Sequence, residues 1–284
     1  MSTKRKIKQR QAAVGRIRKI TYAMQVIAQT RLTRMKDMAI SARSYHEKIR
    51  QILSSIVARQ SEAHHPLLEI RDATKTLAAV IINSDRGLCG GFNNNILIKL
   101  KSLLRENPQK QIKFISLGKK GRRVLRQVGR GETIKSFLKV EKANLAQLSK
   151  ELSKEIINLY LEKQTDAVYL IYNQYRLHLL GKATSLKILP IEPELAVAKE
   201  QHLSDYLYEP STNDVLSAIL PEYVYEQIYQ AVLESRASEE MARMVAMKTA
   251  TDNADEMIEK LQLAYHKARQ ALITKELTEI ANVV

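Results

Sequence analysis

The sequence predicts an α/β protein in which a long antiparallel two-helix coiled coil, built from the N- and C-terminal segments, carries an inserted, mostly parallel α/β domain. Three observations predict it. Both ends are nearly free of proline and glycine and repeat apolar residues at three-four spacing. The middle alternates short apolar runs with helical stretches. The two ends also carry opposite charge balances, which suits pairing with each other. The expected bounds are 1–60 for the first helix, 70–195 for the α/β domain and 210–284 for the second helix.

The first segment, to about Val57, holds no proline and only Gly15. Ile17, Ile20, Met24 and Ile27 step by three and four, as do Met35, Met38, Ala42, Tyr45, Ile49, Ile52 and Ile56. These two runs are out of step, and strict continuation of the first puts Arg31 and Arg34 in the core. A local slip of the seam is therefore expected, with both arginines turned outward or meeting acids. Up to Val57 there are fourteen Lys/Arg against Asp37 and Glu47, too one-sided for an ordinary solvated face.

After His64-His65-Pro66 the periodicity changes. The run from Thr76 to Asn83 is continuously apolar, the pattern of a strand buried on both faces. A glycine-rich turn, Asp85 to Gly91, leads into a helix from about Asn93 to Arg105. Further strand-like runs lie at 112–117, 167–173 and 185–191, with helices near 121–128 and 143–163, and that alternation predicts a mostly parallel sheet. From Pro221 onward proline and glycine disappear again, and the counts are eleven acids to seven bases between Glu222 and Val284. The expected seam is Ile228, Ala231, Ser235, Ser238, Ala242, Val245 and Thr249, then Met257, Leu261, Ala264, Ala268 and Leu272. Its small residues allow a partner helix to approach closely. Some 55 residues of helix make a rod on the order of 80 Å, a mechanical or scaffolding element.

The totals narrow the function. With 46 Lys+Arg against 30 Asp+Glu and a net charge of +16, the chain should meet nucleic acid, an anionic membrane face or acidic protein surfaces. One cysteine, Cys89, excludes an intrachain disulfide and fits a reducing compartment. No run approaches the roughly 18 apolar residues of a spanning helix, so membrane association is expected to be peripheral, through a partner. The turn with Gly87, Gly90 and Gly91 matches neither phosphate-loop template and is expected to be a tight turn; Gly118-Lys-Lys-Gly121 reads as another. His64-His65 has no ligand company and reads as a solvated loop; no metal or other cofactor is expected. Met241, Met244 and Met247 share a helical face and suit packing. Glu239-Glu240 and Asp255-Glu256 are neighbours in sequence and cannot face each other as an acid/base pair. Three readings stand on the residues alone: a protein-bound coiled-coil element, a nucleic-acid arm, and an enzyme on the middle domain. With 3 Phe and 0 Trp for base stacking, and bases interleaved with an apolar seam, the first is favoured and no nucleic-acid partner is expected.

Three stretches carry a family resemblance. Ile20-Thr-Tyr-Ala-Met-Gln-Val-Ile-Ala28 resembles the amino-terminal motif of the F-type ATP synthase gamma subunit, and Ser84-Asp-Arg-Gly-Leu-Cys-Gly-Gly-Phe-Asn93 resembles that family's turn after the first strand of its inserted domain. The most specific match is Ala242-Arg-Met-Val-Ala-Met-Lys-Thr-Ala-Thr-Asp-Asn253, followed by the block from Ala268 to Ile280. The resemblance runs in order over nearly the whole chain. It departs at Thr30-Arg31, where the family usually has Ser-Lys, and at Ala281-Asn-Val-Val284 in place of Gly-Ala. There is no cysteine pair of the light-regulated plastid type. The resemblance implies a non-catalytic central rotor shaft that couples ion flow to ATP synthesis or hydrolysis on beta subunits and regulates ATPase activity. Its implied partners are the alpha and beta subunits, epsilon and the membrane rotor ring, with the inserted domain as a foot on that ring. It further implies that Arg269, Gln270 and Thr274, with Arg243, form a polar catch against a beta subunit, and that Met24 lies at the neighbouring seam. Arg31, Arg34 and Lys36 are the candidates for meeting acidic loops of beta. The missing transit-like leader leads to the expectation of a peripheral protein on the cytoplasmic face of a bacterial membrane.

Overall fold

The computed structural model describes residues 3–59, 65–71, 74–138, 140, 144–176, 179–192, 209 and 211–281. Its elements, in order, are α1 (Thr3–Arg59), β1 (Thr76–Ile82), α2 (Phe92–Glu106), β2 (Gln111–Leu117), α3 (Gly121–Val128), β3 (Glu132–Phe137), α4 (Leu145–Leu161), β4 (Ala167–Arg176), β5 (Leu179–Leu189) and α5 (Thr212–Ala281). Two compact units share these elements. One pairs the residues up to Thr30 with those from Arg243 on, and the other is Arg31–Ala242.

The larger unit is organised by a five-stranded sheet of order β3-β2-β1-β4-β5. β1, β2, β3 and β4 run parallel and β5 returns antiparallel beside β4. β1 explains why its sequence is apolar without alternation. Leu77, Ala79 and Ile81 pack with α2 and α3 through Ile96, Leu100, Leu103 and Val124. Ala78, Val80 and Ile82 share a core with Leu152 and Ile156 of α4, with Leu53 and Ile56 of α1 and with Leu220, Val224 and Val232 of α5. Both faces are thus covered, as a parallel sheet requires.

All four sequence-derived strands and all three helices between them are present, with β5 starting six residues ahead of the expected 185. β3 is the element the sequence reading left out. Its edge position explains the miss, because Glu132 to Lys135 are exposed and only Phe137 is buried, so no apolar run marks it. α5 opens at Thr212, well ahead of Pro221, which lies inside the helix. Ser211 caps that start: its Oγ accepts the Asp214 N–H at 3.2 Å and donates to the Asp214 carboxylate at 2.6 Å. The small residues expected on α5 do permit close approach. A Cβ on Gly181 of β5 would lie 3.0 Å from Ser238 Cβ and 2.7 Å from the Gln174 carbonyl oxygen. His65 is half-buried rather than solvated, and its Nδ1 accepts the Leu67 N–H at 3.2 Å. His64 lies outside the described residues.

Candidate partner-binding surfaces

In the smaller unit the first part of α1 and the last part of α5 pair antiparallel. Thr21 and Thr251 share a buried hydroxyl hydrogen bond of 2.8 Å, Arg18 pairs with Asp255, and the Lys4 ammonium lies 5.8 Å from the centre of the Tyr265 ring. The seam consists of Val14, Thr21 and Ala28 on α1 and Met247, Thr251 and Ala254 on α5, all buried. Small and hydroxylated residues at the contact bring the two helices close, and their hydroxyls bond each other or the preceding turn.

This seam corrects the sequence reading. Ile17, Ile20 and Ile27, expected inside, are 54%, 59% and 52% exposed. The buried residues of α1 instead continue in strict heptad steps, Val14, Thr21, Ala28 and Met35, so no slip occurs. On α5, Val245, Thr249, Met257 and Ala264 are likewise exposed rather than in the seam. With Tyr22, Val26 and Leu263 also exposed, the paired helices carry large apolar side chains on their outside. Lys4 meets Tyr265 at the very start of α1, yet α5 continues to Ala281. Counting from the Thr21–Thr251 contact, about its last twelve residues, about 18 Å of helix, extend beyond the described start of α1.

The sequence-derived site residues fall as follows. Arg269, Gln270 and Thr274 are exposed on this terminal stretch, with the Thr274 hydroxyl donating to the Gln270 carbonyl at 3.0 Å. Met24 is half-buried beside the seam, whereas Arg243 is buried and stands apart from the exposed group. In the larger unit Arg31 and Arg34 are exposed and Lys36 is half-buried. Arg31 lies 3.8 Å from the Glu240 carboxylate, so the two arginines behave as expected: one meets an acid and both avoid the core.

The glycine-rich turn is a structural junction. Asn93 accepts the Ser84 N–H and donates to the Ser84 hydroxyl at 2.7 Å, closing the turn over buried Cys89. Gly118 adopts φ +91 where a side chain would run into the Asn83 backbone. Asp85 accepts backbone N–H groups from Lys119 and Val140, each at 2.9 Å, and lies 3.5 Å from the Arg236 guanidinium of α5. Arg236 also pairs with Glu239. Sequence reasoning missed this junction, because nothing local links Asp85 to a residue on the distant helix.

Two acids on α5 have their ionisation shifted by burial. Burial, with the Glu222 charge adding to it, pushes Glu226 up to about 7. Burial also raises Glu234, against the pull of the Gln230 amide and of Arg43 at 3.6 Å. Among the described residues no cluster of His, Cys, Asp and Glu is arranged to hold a metal, and no helix is long and apolar enough to cross a membrane.

A family model described as ATP synthase matches residues 3–283. The chain is 39% identical over 282 residues to the ATP synthase gamma chain of Trichlorobacter lovleyi, covering 99% of this chain and 97% of that one. It is 38% identical over 277 residues to the gamma chain of Fusobacterium nucleatum, covering 97% and 96%. Among solved structures, a chain from the central stalk and c-ring of the Tetrahymena thermophila mitochondrial ATP synthase matches with a TM-score of 0.60 at 24% identity, covering 81% of this chain and 99% of that one. A chain from the Euglena gracilis mitochondrial enzyme matches at 0.56 and 19%, covering 96% and 93%. These structures speak to the fold, a terminal helix pair flanking a mixed sheet. The sequence relatives speak to descent, and their end-to-end identity places this chain in the ATP synthase gamma chain family.

Proposed function

We propose that this chain is the central rotor shaft of an F-type ATP synthase, coupling ion flow through the membrane rotor ring to ATP synthesis or hydrolysis at catalytic sites on beta subunits, and regulating that ATPase. The observation that carries the reading is the outward apolar face of the terminal helix pair. A free-standing coiled coil places such residues in its seam, whereas Ile17, Ile20, Ile27 and Leu263 are exposed instead. Exposed apolar surface of this kind marks a partner-binding face, here one that surrounds the helices.

The mechanism follows from symmetry. A two-helix rod cannot present the same face to three sites around it, so each site meets different side chains and is held in a different state. Rotation exchanges those contacts, and only differential contact can shift the equilibrium of a bound partner. The chain itself supplies no catalytic group. Arg269, Gln270 and Thr274 act as the exposed polar catch on a beta subunit, and Arg31, Arg34 and Lys36 meet its acidic loops. Arg243, buried in the isolated chain and about 39 Å along the same helix from Arg269, meets the beta subunit apart from that catch and only after its side chain turns outward, while Met24 keeps the adjoining seam apolar. The α/β domain is the foot, working with epsilon on the rotor ring. Association with the membrane is through the complex, on the cytoplasmic face of a bacterial membrane.

The test is assembly: purified chain mixed with alpha and beta subunits, with duplex DNA as the competing partner. An ATP-hydrolysing complex that depends on this chain supports the shaft. Failure to assemble, together with tight and salt-sensitive DNA binding, would overturn it in favour of a nucleic-acid arm.

A further inference from the structure

The sheet has an open edge beside a basic helix. Among the described residues β3 pairs with β2 alone, so alternate backbone groups along its outer side have no described strand beside them. Next to it runs α3, and between the two lies a groove of about 590 Å³ floored by buried Phe114 and Leu125. Arg122 and Arg126, one turn apart on α3, line one wall, and Ile134 and Lys135 of β3 line the other. Arg130 closes one end, held by the carbonyls of Asn107 and Lys110. Residues 118–131 contain six bases and no acid. Lys135 is already engaged with Glu155 at 2.5 Å. Arg122 and Arg126 are exposed and form no ion pair with any described residue.

The geometry points to strand addition: the groove between α3 and β3 receives an extended acidic peptide segment of another protein. That segment pairs its backbone with the outer edge of β3 and sets acidic side chains against Arg122 and Arg126. Three features favour this occupant. A helix flanking an unpaired strand is the seat used in peptide recognition by strand addition. Two free guanidiniums on one face match carboxylates on alternate residues of an extended chain. Ile134, Leu125 and Phe114 provide an apolar floor on the same face, against which the stems of those acidic side chains rest. The simpler alternative is that the bases only guard a bare edge against aggregation.

Fluorescence anisotropy with the full chain decides between them. The probe is a fluorescein-labelled decapeptide of alternating Glu and Val. Two analogues are N-methylated on alternate residues, one in each phase, so that only one of them blocks the edge facing β3. Strand addition predicts saturable binding, weakened at least about tenfold by methylation in one phase and little changed by the other. Arg122→Ala/Arg126→Ala should weaken binding by about tenfold as well, with an unchanged circular dichroism spectrum, since both side chains are exposed. Equal binding of both methylated peptides, with full displacement by inorganic triphosphate, would reduce the groove to a charge-only anion site and overturn the proposal. No binding of the decapeptide at all would also overturn it and leave edge protection as the role of the bases.

Discussion

Replacing Arg236 by Met tests the junction between the α/β domain and the long helix. The Arg236 side chain is 12% exposed, 3.5 Å from Asp85 and paired with Glu239, itself 5% exposed. Removing one member of a buried charge group costs about 3–5 kcal/mol, because the remaining charges stay desolvated. Two features reduce that cost here. Asp85 keeps its two backbone N–H bonds, and Met refills the space of the arginine stem. The expected loss is then about 2–3 kcal/mol. For a protein of this size that lowers the melting temperature by about 3–6 °C. Thermal unfolding of the purified chain followed by circular dichroism measures it. Adding Glu239→Gln should recover part of the loss, since it removes one stranded carboxylate. A shift below about 2 °C in the single variant would refute the view of Arg236 as the tie between α5 and the turn at Asp85.

Three further expectations follow from the structure. Gly181→Val places a Cβ against the Gln174 carbonyl oxygen and Ser238, so it should destabilise the chain by about 1–3 kcal/mol; Ser238→Gly should restore part of that in a melting experiment on the double variant. Glu226, raised to about 7 by burial and Glu222, binds its proton more tightly folded than unfolded. Its contribution to stability is therefore fully present below its unfolded value near 4.5 and is lost as pH rises through about 7. Glu226→Gln should remove that component, raising the melting temperature relative to wild type at pH 8 and not at pH 4, and an identical difference at both pH values would contradict it. Arg269→Ala/Gln270→Ala changes two exposed residues, so the melting temperature should move by less than about 2 °C while the ratio of ATP made to ions moved falls in the assembled enzyme.

The buried strands were legible in the sequence because a parallel sheet covered on both faces demands an unbroken apolar run, as in β1 and β4. β3 was not, because an exposed edge strand such as Glu132 to Phe137 needs no such run. The helix pair was legible in kind and misread in register. Apolar side chains usually mark the face buried within a chain, and Ile17, Ile20 and Ile27 attracted the seam to themselves. The seam lies instead on Val14, Thr21 and Ala28, residues small enough for close packing. Two stripes on one helix, one small and one large, are the sequence signature of a coiled coil that is itself enclosed. Arg269 and Gln270 entered through the family resemblance and not through helical spacing, which put Leu272 in a seam where it is exposed, and the Asp85–Arg236 tie joins residues far apart in the chain and leaves no local trace.

Rotation is the most direct test of the shaft. With the catalytic head fixed to a surface by its beta subunits and a bead attached to the α/β domain of this chain, ATP should drive the bead in one direction, in steps of a third of a turn. A complex that hydrolyses ATP at full rate while a firmly attached bead shows only random motion would contradict the account.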